Sequence, residues 1–335
     1  MNPDWQTFLT AQGARIENGQ VHAFESAASL EGAATLTDLS HKGIIAVHGA
    51  DARSFLQGQL STDLEALTPN SSQLSSWSSA KGRVITVLRI VPQGERILLL
   101  LPRSLLASVL KRLSMYVLRA QVKLDDVSDT LIHIGLAGDG AVRLLQAAKL
   151  DAPTKVNAVS GNNETQVVRL HGTLPRFLII GGFQPLSLLW KILAGSGAAP
   201  VTENEWALQK IRAGEPTIYP ETSERFVAQM LGLEELDAVN FKKGCYIGQE
   251  IIARAHFRGT VKRHMLQARC DAIVKIAPGT TIENSDTGQP VGDVLDARLN
   301  RHGIQEMLVV LQDDHRNDSL RIADGGPPLA VDQTR

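Results

Sequence analysis

The chain has 335 residues, 43% of them hydrophobic, and a formal net charge of -1. Such a length exceeds what one hydrophobic core usually organises, so two or three domains are expected. The near-neutral charge excludes the strong overall positive potential that draws proteins onto nucleic acid or anionic membranes, and any such contact must come from a local patch.

Met1 to Gly19 scatters charged and amide side chains among its apolar residues and lacks the apolar core and cleavage site of a secretory signal. The strongest apolar run, Ile97 to Leu101, is a strand's length, far below the roughly 20 residues of a membrane-spanning helix. Two cysteines, Cys245 and Cys270, cannot build a disulfide framework, and neither belongs to a C-x-x-C pair. A reducing cytoplasm, with no membrane partner, is the expected setting.

Ile44 to Val47 reads as a strand ending at Gly49, followed by a helix with Asp51 as its N-cap and Phe55, Leu56 and Leu60 at helical spacing. Val84 to Val91 then turns at Gln93-Gly94 into Ile97 to Leu101, and a helix is expected near Ser104 to Leu113. The order recurs about 90 residues later: strand Leu131 to Leu136, turn at Gly138, and Leu144-Leu145-Gln146 in the place of Phe55-Leu56-Gln57. A hairpin of Gln166 to Leu170 and Phe177 to Ile180 and a helix near Pro185 to Leu193 complete the second copy. Asp151 to Glu164 reads as a loop and Ala194 to Thr202 as a connector. Beyond Arg263 come short strands, Met265 to Cys270, Gly292 to Leu295 and Met307 to Leu311, the pattern of a small all-β domain. The fold class expected is α+β, with a duplicated core and an all-β tail.

Phe241 to Glu250 places one thiol, Cys245, between Gly244 and Gly248, after Lys242 and Lys243 and before a segment able to start a helix. Glycines allow close approach, and neighbouring ammonium groups and a helix N-terminus favour a thiolate, so Cys245 is a candidate nucleophile or ligand. The plainer reading is a buried small hydrophobe beside a tight turn. A single thiol does not hold an iron-sulfur cluster, which takes about four protein ligands. Cys270 lies in an apparent strand and is assigned a packing role.

Lys243 to Glu250 resembles the K-G-C-Y-x-G-Q-E signature of the YgfZ family, which includes bacterial folate-binding proteins and a mitochondrial iron-sulfur assembly factor. The resemblance extends through Ile251-Ile252-Ala253-Arg254, Phe257-Arg258-Gly259, Gly49-Ala50-Asp51, Phe55-Leu56-Gln57-Gly58-Gln59 and Lys81-Gly82-Arg83, and so covers most of the chain. It implies a three-domain fold like the glycine-cleavage T-protein, with domains around a central folate-binding hole and a C-terminal β-barrel. The domains then fall at residues 1–48 with 130–258, at 49–129, and at 259–335. The resemblance also implies tetrahydrofolate or a derivative as cofactor, and iron-sulfur proteins or their assembly machinery as partners. Tied to tRNA modification indirectly, through cluster-dependent tRNA-thiolating enzymes, the chain reads more as an accessory factor than as an enzyme.

Carried over residue by residue, the signature makes Cys245 the reactive centre, surrounded by Lys243, Gly244, Tyr246, Gly248, Gln249, Glu250 and Arg254. Trp206 opens a segment similar to one where the family sets an aromatic against folate; its alternative reading is a core aromatic. Two departures from the T-protein pattern stand out. Thr86 and Val87 occupy the place of an acidic residue used for aminomethyl transfer, and Arg212 stands where that pattern has Glu. Without the acid, direct aminomethyl or methyl transfer from folate becomes the alternative function rather than the leading one.

A third function, direct tRNA binding, is raised by the local basic segment of Arg254, Arg258, Lys262 and Arg263 with His256 and His264, for which a solvated basic face is the plain reading. The 9 histidines form no ligand pair, so no metal site is expected, and no phosphate-cradling glycine loop is present.

Overall fold

The computed structural model describes residues 1–25, 34–259 and 261–332. Residues 26–33, within the first expected domain, and residues 260 and 333–335, within the expected barrel, lie outside the described residues. Contacts divide the chain into two compact units, one of Met1–Phe55, Leu64–Gln73 and Leu88–Trp206, the other of Leu56–Asp63, Leu74–Val87 and Ala207 onward.

Most of the duplicated pattern falls in the first unit. Strand Lys42–His48 leads through Gly49 into helix Ala52–Gln57, and strand Ile132–Ala137 leads through Gly138 into helix Ala141–Ala147. Both turn glycines adopt a backbone closed to L side chains, with φ of 116° and 123° respectively. Strand Arg96–Pro102 pairs antiparallel with Lys42–His48, just as Arg176–Gly181 pairs antiparallel with Ile132–Ala137. A helix follows each hairpin, Arg103–Ser114 in the first copy and Phe183–Gly195 in the second.

One sheet runs in the order Val159–Gly161, Thr165–Leu170, Arg176–Gly181, Ile132–Ala137, Thr35–Asp38, Ala199–Val201. Alternation along its strands splits the buried side chains between two faces. Leu36, Ile134, Phe177 and Ile179 meet Trp5 and Leu9 of helix Pro3–Ala11 and Trp190 of Phe183–Gly195. Val168, Leu178 and Ile180 meet Ile44, Ala46, Leu98 and Leu100 of the other sheet, and Trp206 lies in this second cluster. Burial on both faces explains why these strands read as nearly continuous apolar runs.

Two expectations change. The presumed loop Asp151 to Glu164 contains strand Val159–Gly161, and the presumed connector contains strand Ala199–Val201. Three residues are too few for alternation to register in the sequence. Asp51 directs its carboxylate to the Gln121 backbone N–H at 2.8 Å, tying the turn to a distant loop.

In the second unit a closed six-stranded barrel runs Arg263–Cys270, Gln305–Gln312, Pro290–Leu299, Thr281–Asn284, Leu320–Ile322, Pro328–Val331 and back to the first strand. Its interior is apolar, centred on Ile282, Val291, Val294, Met307, Val309 and Leu311, and Cys270 is buried in it. Packing there, with burial raising its thiol pKa, fits the structural role assigned to Cys270. Among the described residues no helix is long and apolar enough to cross a membrane.

Candidate functional site

The segment Leu233 to Gly248 has neither helix nor strand, so its backbone groups need partners from elsewhere. Residues 56–63 of the same unit provide them. Ser61 Oγ donates to the Ala238 carbonyl at 2.6 Å, and the Asn240 N–H donates to the Ser61 carbonyl at 2.8 Å. Asn240 Oδ1 then accepts from the N–H groups of Lys242 and Lys243 at 2.7 and 3.0 Å, an Asx turn that sets the chain direction into the cysteine. Farther on, the Ile247 N–H reaches the Gly58 carbonyl at 3.2 Å.

Lys243 is the central strut. Its side chain is 8% exposed, and its ammonium donates to the carbonyls of Gln57, Leu60 and Thr62, each at 2.7 Å. All three donors of the group are thereby used. Burial pulls its pKa from the ordinary 10.5 down to about 8, against a smaller opposing pull from Asp63. The expectation that Lys243 acts as a free positive charge for the thiol is therefore revised: only Lys242 of the pair remains exposed.

Tyr246 packs over this strut, with Lys243 Nζ 5.0 Å from its ring centroid. Its hydroxyl is buried without a hydrogen-bond partner among the described residues, and desolvation, with the Glu234 charge added, pushes its pKa up to about 12. Between the two anchored residues Cys245 is exposed, next to an exposed Gly244 with open space where a side chain would project.

Gly248 closes the segment and starts helix Gln249–Arg258 with φ of 82°. A Cβ here would stand 2.6 Å from the Ser79 carbonyl oxygen and 3.1 Å from Gly82 Cα. Gly82, with φ of 67°, is equally confined, since its own Cβ would stand 2.8 Å from Ile251 Cβ. Three sequence motifs, Leu56 to Gln59, Lys81-Gly82-Arg83 and Lys243 to Glu250, therefore meet in one unit, with Cys245 at the exposed surface of their junction. On the helix, Glu250 and Arg254 are exposed and Gln249 is half-buried.

The basic segment separates into different roles. His256 bonds Glu234 at 2.9 Å and stacks on Phe241 with centroids 3.9 Å apart, His264 bonds Asp313 at 2.8 Å, and Arg263 lies 3.7 Å from Asp293. Arg254, Arg258 and Lys262 are exposed. Among the described residues no group of 3 or more His, Cys, Asp or Glu side chains is placed to hold a metal ion.

Trp206, in the first unit, is 1% exposed. Its ring lies where a Cβ on Gly135 would stand, at 2.5 Å, and the Arg176 guanidinium sits over it, 4.9 Å from the centroid. A pterin would have to displace one of these neighbours to stack on it. The indole N–H is buried with no hydrogen-bond partner among the described residues, a polar handle that apolar packing alone does not explain. Thr86 is fully buried, donating to the Val87 carbonyl at 3.2 Å, and Arg212 forms a two-pronged ion pair with Glu306 at 2.7 and 2.6 Å.

Sequence reasoning missed Asn240 and Ser61. Asn240 carried a readable signal, an Asn three residues before the Lys243-Gly244 pair. Ser61 carried none, because a serine that buries its hydroxyl against distant carbonyls looks like any surface serine.

Comparison with known proteins supplies a family context. Residues 16–168 match the GCVT N-terminal domain. The tRNA-modifying protein YgfZ of Yersinia pestis (strain Pestoides F) is 31% identical over 295 residues, covering 87% of this chain and 88% of its own. The namesake from Serratia proteamaculans gives the same figures, and that from Colwellia psychrerythraea is 29% identical over 301 residues, covering 89% and 92%. Among solved structures, the glycine cleavage system aminomethyltransferase T from Bartonella henselae superposes with a TM-score of 0.79 at 16% identity, covering 99% of this chain and 96% of that one. The fold is thus the α+β T-protein-like fold over nearly the whole chain.

Proposed function

Because the chain belongs to the YgfZ family of tRNA-modifying proteins, we propose that it is a folate-binding accessory protein for iron-sulfur cluster assembly or repair, with Cys245 as its reactive thiol. On this reading it supports tRNA modification indirectly, by keeping cluster-dependent thiolating enzymes competent. The observation that carries the proposal is the anchoring of an exposed Cys245 between a buried, fully bonded Lys243 and the tightly packed Gly248. A merely structural cysteine needs no such frame, whereas a thiol that meets a protein or cluster partner benefits from a fixed approach.

One exposed thiol with no companion ligand among the described residues suits a shared or transient role better than cluster storage. Tetrahydrofolate or a derivative enters the proposal through the family, and Trp206, with its unpartnered indole N–H, is the residue proposed to meet it once its ring is released from Gly135 or Arg176. The three-domain division, at residues 1–48 with 130–258, 49–129 and 259–335, belongs to the same proposal, as does a cytoplasmic setting.

The test is the activity of a cluster-dependent tRNA-thiolating enzyme in cells lacking the protein. Complementation with wild type is expected to restore thiolation, and Cys245→Ala at matched expression is expected to fail. Full rescue by Cys245→Ala would make the thiol structural and remove it from the cluster pathway.

A further inference from the structure

The turn that Gly248 leans against also forms one wall of a cleft. This cleft, about 620 Å³ in volume, is lined by Lys81, Arg83, Arg225, Arg263 and Met230, and by the carboxylates of Asp293 and Glu224. A volume of this size accommodates one small ligand or a few units of a polymer. Four cations thus face two carboxylates in a chain whose overall charge is slightly negative.

The cations divide by partner. Arg225 donates to Asp293 at 2.5 Å, and Arg263 lies 3.7 Å from the same carboxylate, so this acid holds the two guanidinium groups in place while neutralising only one of them. Arg83 donates one N–H to the Arg225 carbonyl at 2.6 Å and has no carboxylate partner among the described residues. Lys81 is exposed and likewise has no ion-pair partner there.

These two cations are mounted on rigid backbone. Gly82 between them closes a turn in which the Gly82 N–H bonds the Ser79 carbonyl and the Ser79 N–H bonds the Arg83 carbonyl, both at 2.8 Å. The next residue is clamped as well, Val84 N–H to the Phe226 carbonyl and Glu224 N–H to the Val84 carbonyl, again at 2.8 Å. Surface cations on flexible arms give up side-chain freedom when they bind, and a clamped turn reduces that cost. Forked guanidinium donors beside an ammonium suit the oxygens of a phosphate ester, and Met230 offers an apolar contact for an attached base.

We propose that this cleft binds nucleotide phosphate, with Lys81 and Arg83 as the contacting cations and the Arg225–Asp293–Arg263 group as the wall that orients them. The proposal goes beyond the Cys245 reading and does not depend on it. Its ligand is either a strand of RNA or a free nucleotide, which share the phosphate ester.

The experiment measures binding of unfractionated tRNA to the full chain by fluorescence anisotropy across a salt series, with adenosine monophosphate as competitor. Each phosphate contact contributes a slope of about 0.7–0.9 in log affinity against log salt, so Lys81→Gln/Arg83→Gln is expected to lower the slope by about 1.4–1.8. Arg83→Lys should recover most of it. Lys81→Gln alone, at an exposed position whose side chain makes no hydrogen bond among the described residues, should lose about 0.7–0.9 while leaving the melting temperature unchanged, which covers the case in which the double variant folds poorly. Competition by adenosine monophosphate supports a nucleotide-sized site, and its absence supports a site that needs a strand. An unchanged slope in both Lys81→Gln and the double variant, or no salt-dependent binding of either probe by wild type, overturns the proposal.

Discussion

Lys243 carries a charge into a place where an ammonium is costly to desolvate, and three carbonyls offset that cost. Replacing it by Met removes three charge-assisted hydrogen bonds at once, so Lys243→Met is expected to lose about 2–4 kcal/mol of unfolding free energy by denaturant titration. The pH dependence has a definite sign. The folded pKa, about 8, lies below the ordinary 10.5, so between these values the unfolded chain keeps a proton that the folded chain has released. The unfolded state binds more protons there, and the contribution of this residue to stability rises with pH, by up to about 1.4 kcal/mol per unit. That contribution is complete above 10.5 and is lost as pH falls through about 8. Subtracting the Lys243→Met titration from that of wild type isolates it; a difference that stays flat from neutral pH to pH 10 would mean that the ammonium is not desolvated. The identity of Lys243 as a signature residue was legible in the sequence, but its role was not. Adjacency to Cys245 suggested electrostatic help for the thiol, whereas its partners lie more than 180 residues away.

At the scale of elements, helix Gln249–Arg258 and the turn around Gly82 depend on each other through the absence of two side chains. Gly248 has a left-handed backbone, and a Cβ there meets a carbonyl oxygen at 2.6 Å, so neither rotation nor a rotamer change relieves it. Gly248→Ala is expected to cost about 2–4 kcal/mol, combining left-handed strain with overpacking. Its second readout is local: the helix start must move away from Ser79, so protease cleavage within residues 241–258 should accelerate relative to the rest of the chain. Gly244→Ala is the matched control, since nothing lies within 4 Å of its added methyl, and it should retain wild-type stability. Equal loss in the two variants would refute the packing account. The spacing of glycines around Cys245 was plain in the sequence, but which of them is confined depends on Ser79 and Gly82, far away in the chain.

Across the whole molecule, the features that survived from sequence to structure were those repeated or periodic enough to be seen without tertiary knowledge. The strand, glycine, helix and hairpin order was visible twice because each copy buries both faces of its strands and so writes long apolar runs. In the barrel, Thr281–Asn284, Leu320–Ile322 and Pro328–Val331 were not visible, being short pieces whose pairing depends on closure. The junction holding Cys245 was legible as motifs and illegible as geometry, since Ser61 and Asn240 act through backbone partners. If the first unit is a true duplication, corresponding turns should fail in corresponding ways. Gly49 and Gly138 share φ values of 116° and 123°, a region where an L side chain costs about 1–3 kcal/mol. At Gly49 an added Cβ would also stand 2.1 Å from the Gln121 carbonyl oxygen. Gly49→Ala and Gly138→Ala are therefore both expected to destabilise by at least about 1 kcal/mol, Gly49→Ala the more strongly. Denaturant unfolding of the two variants measures this. A neutral Gly138→Ala would show that the shared backbone angle is not a constraint common to the two copies, and the equivalence would then rest on strand order alone.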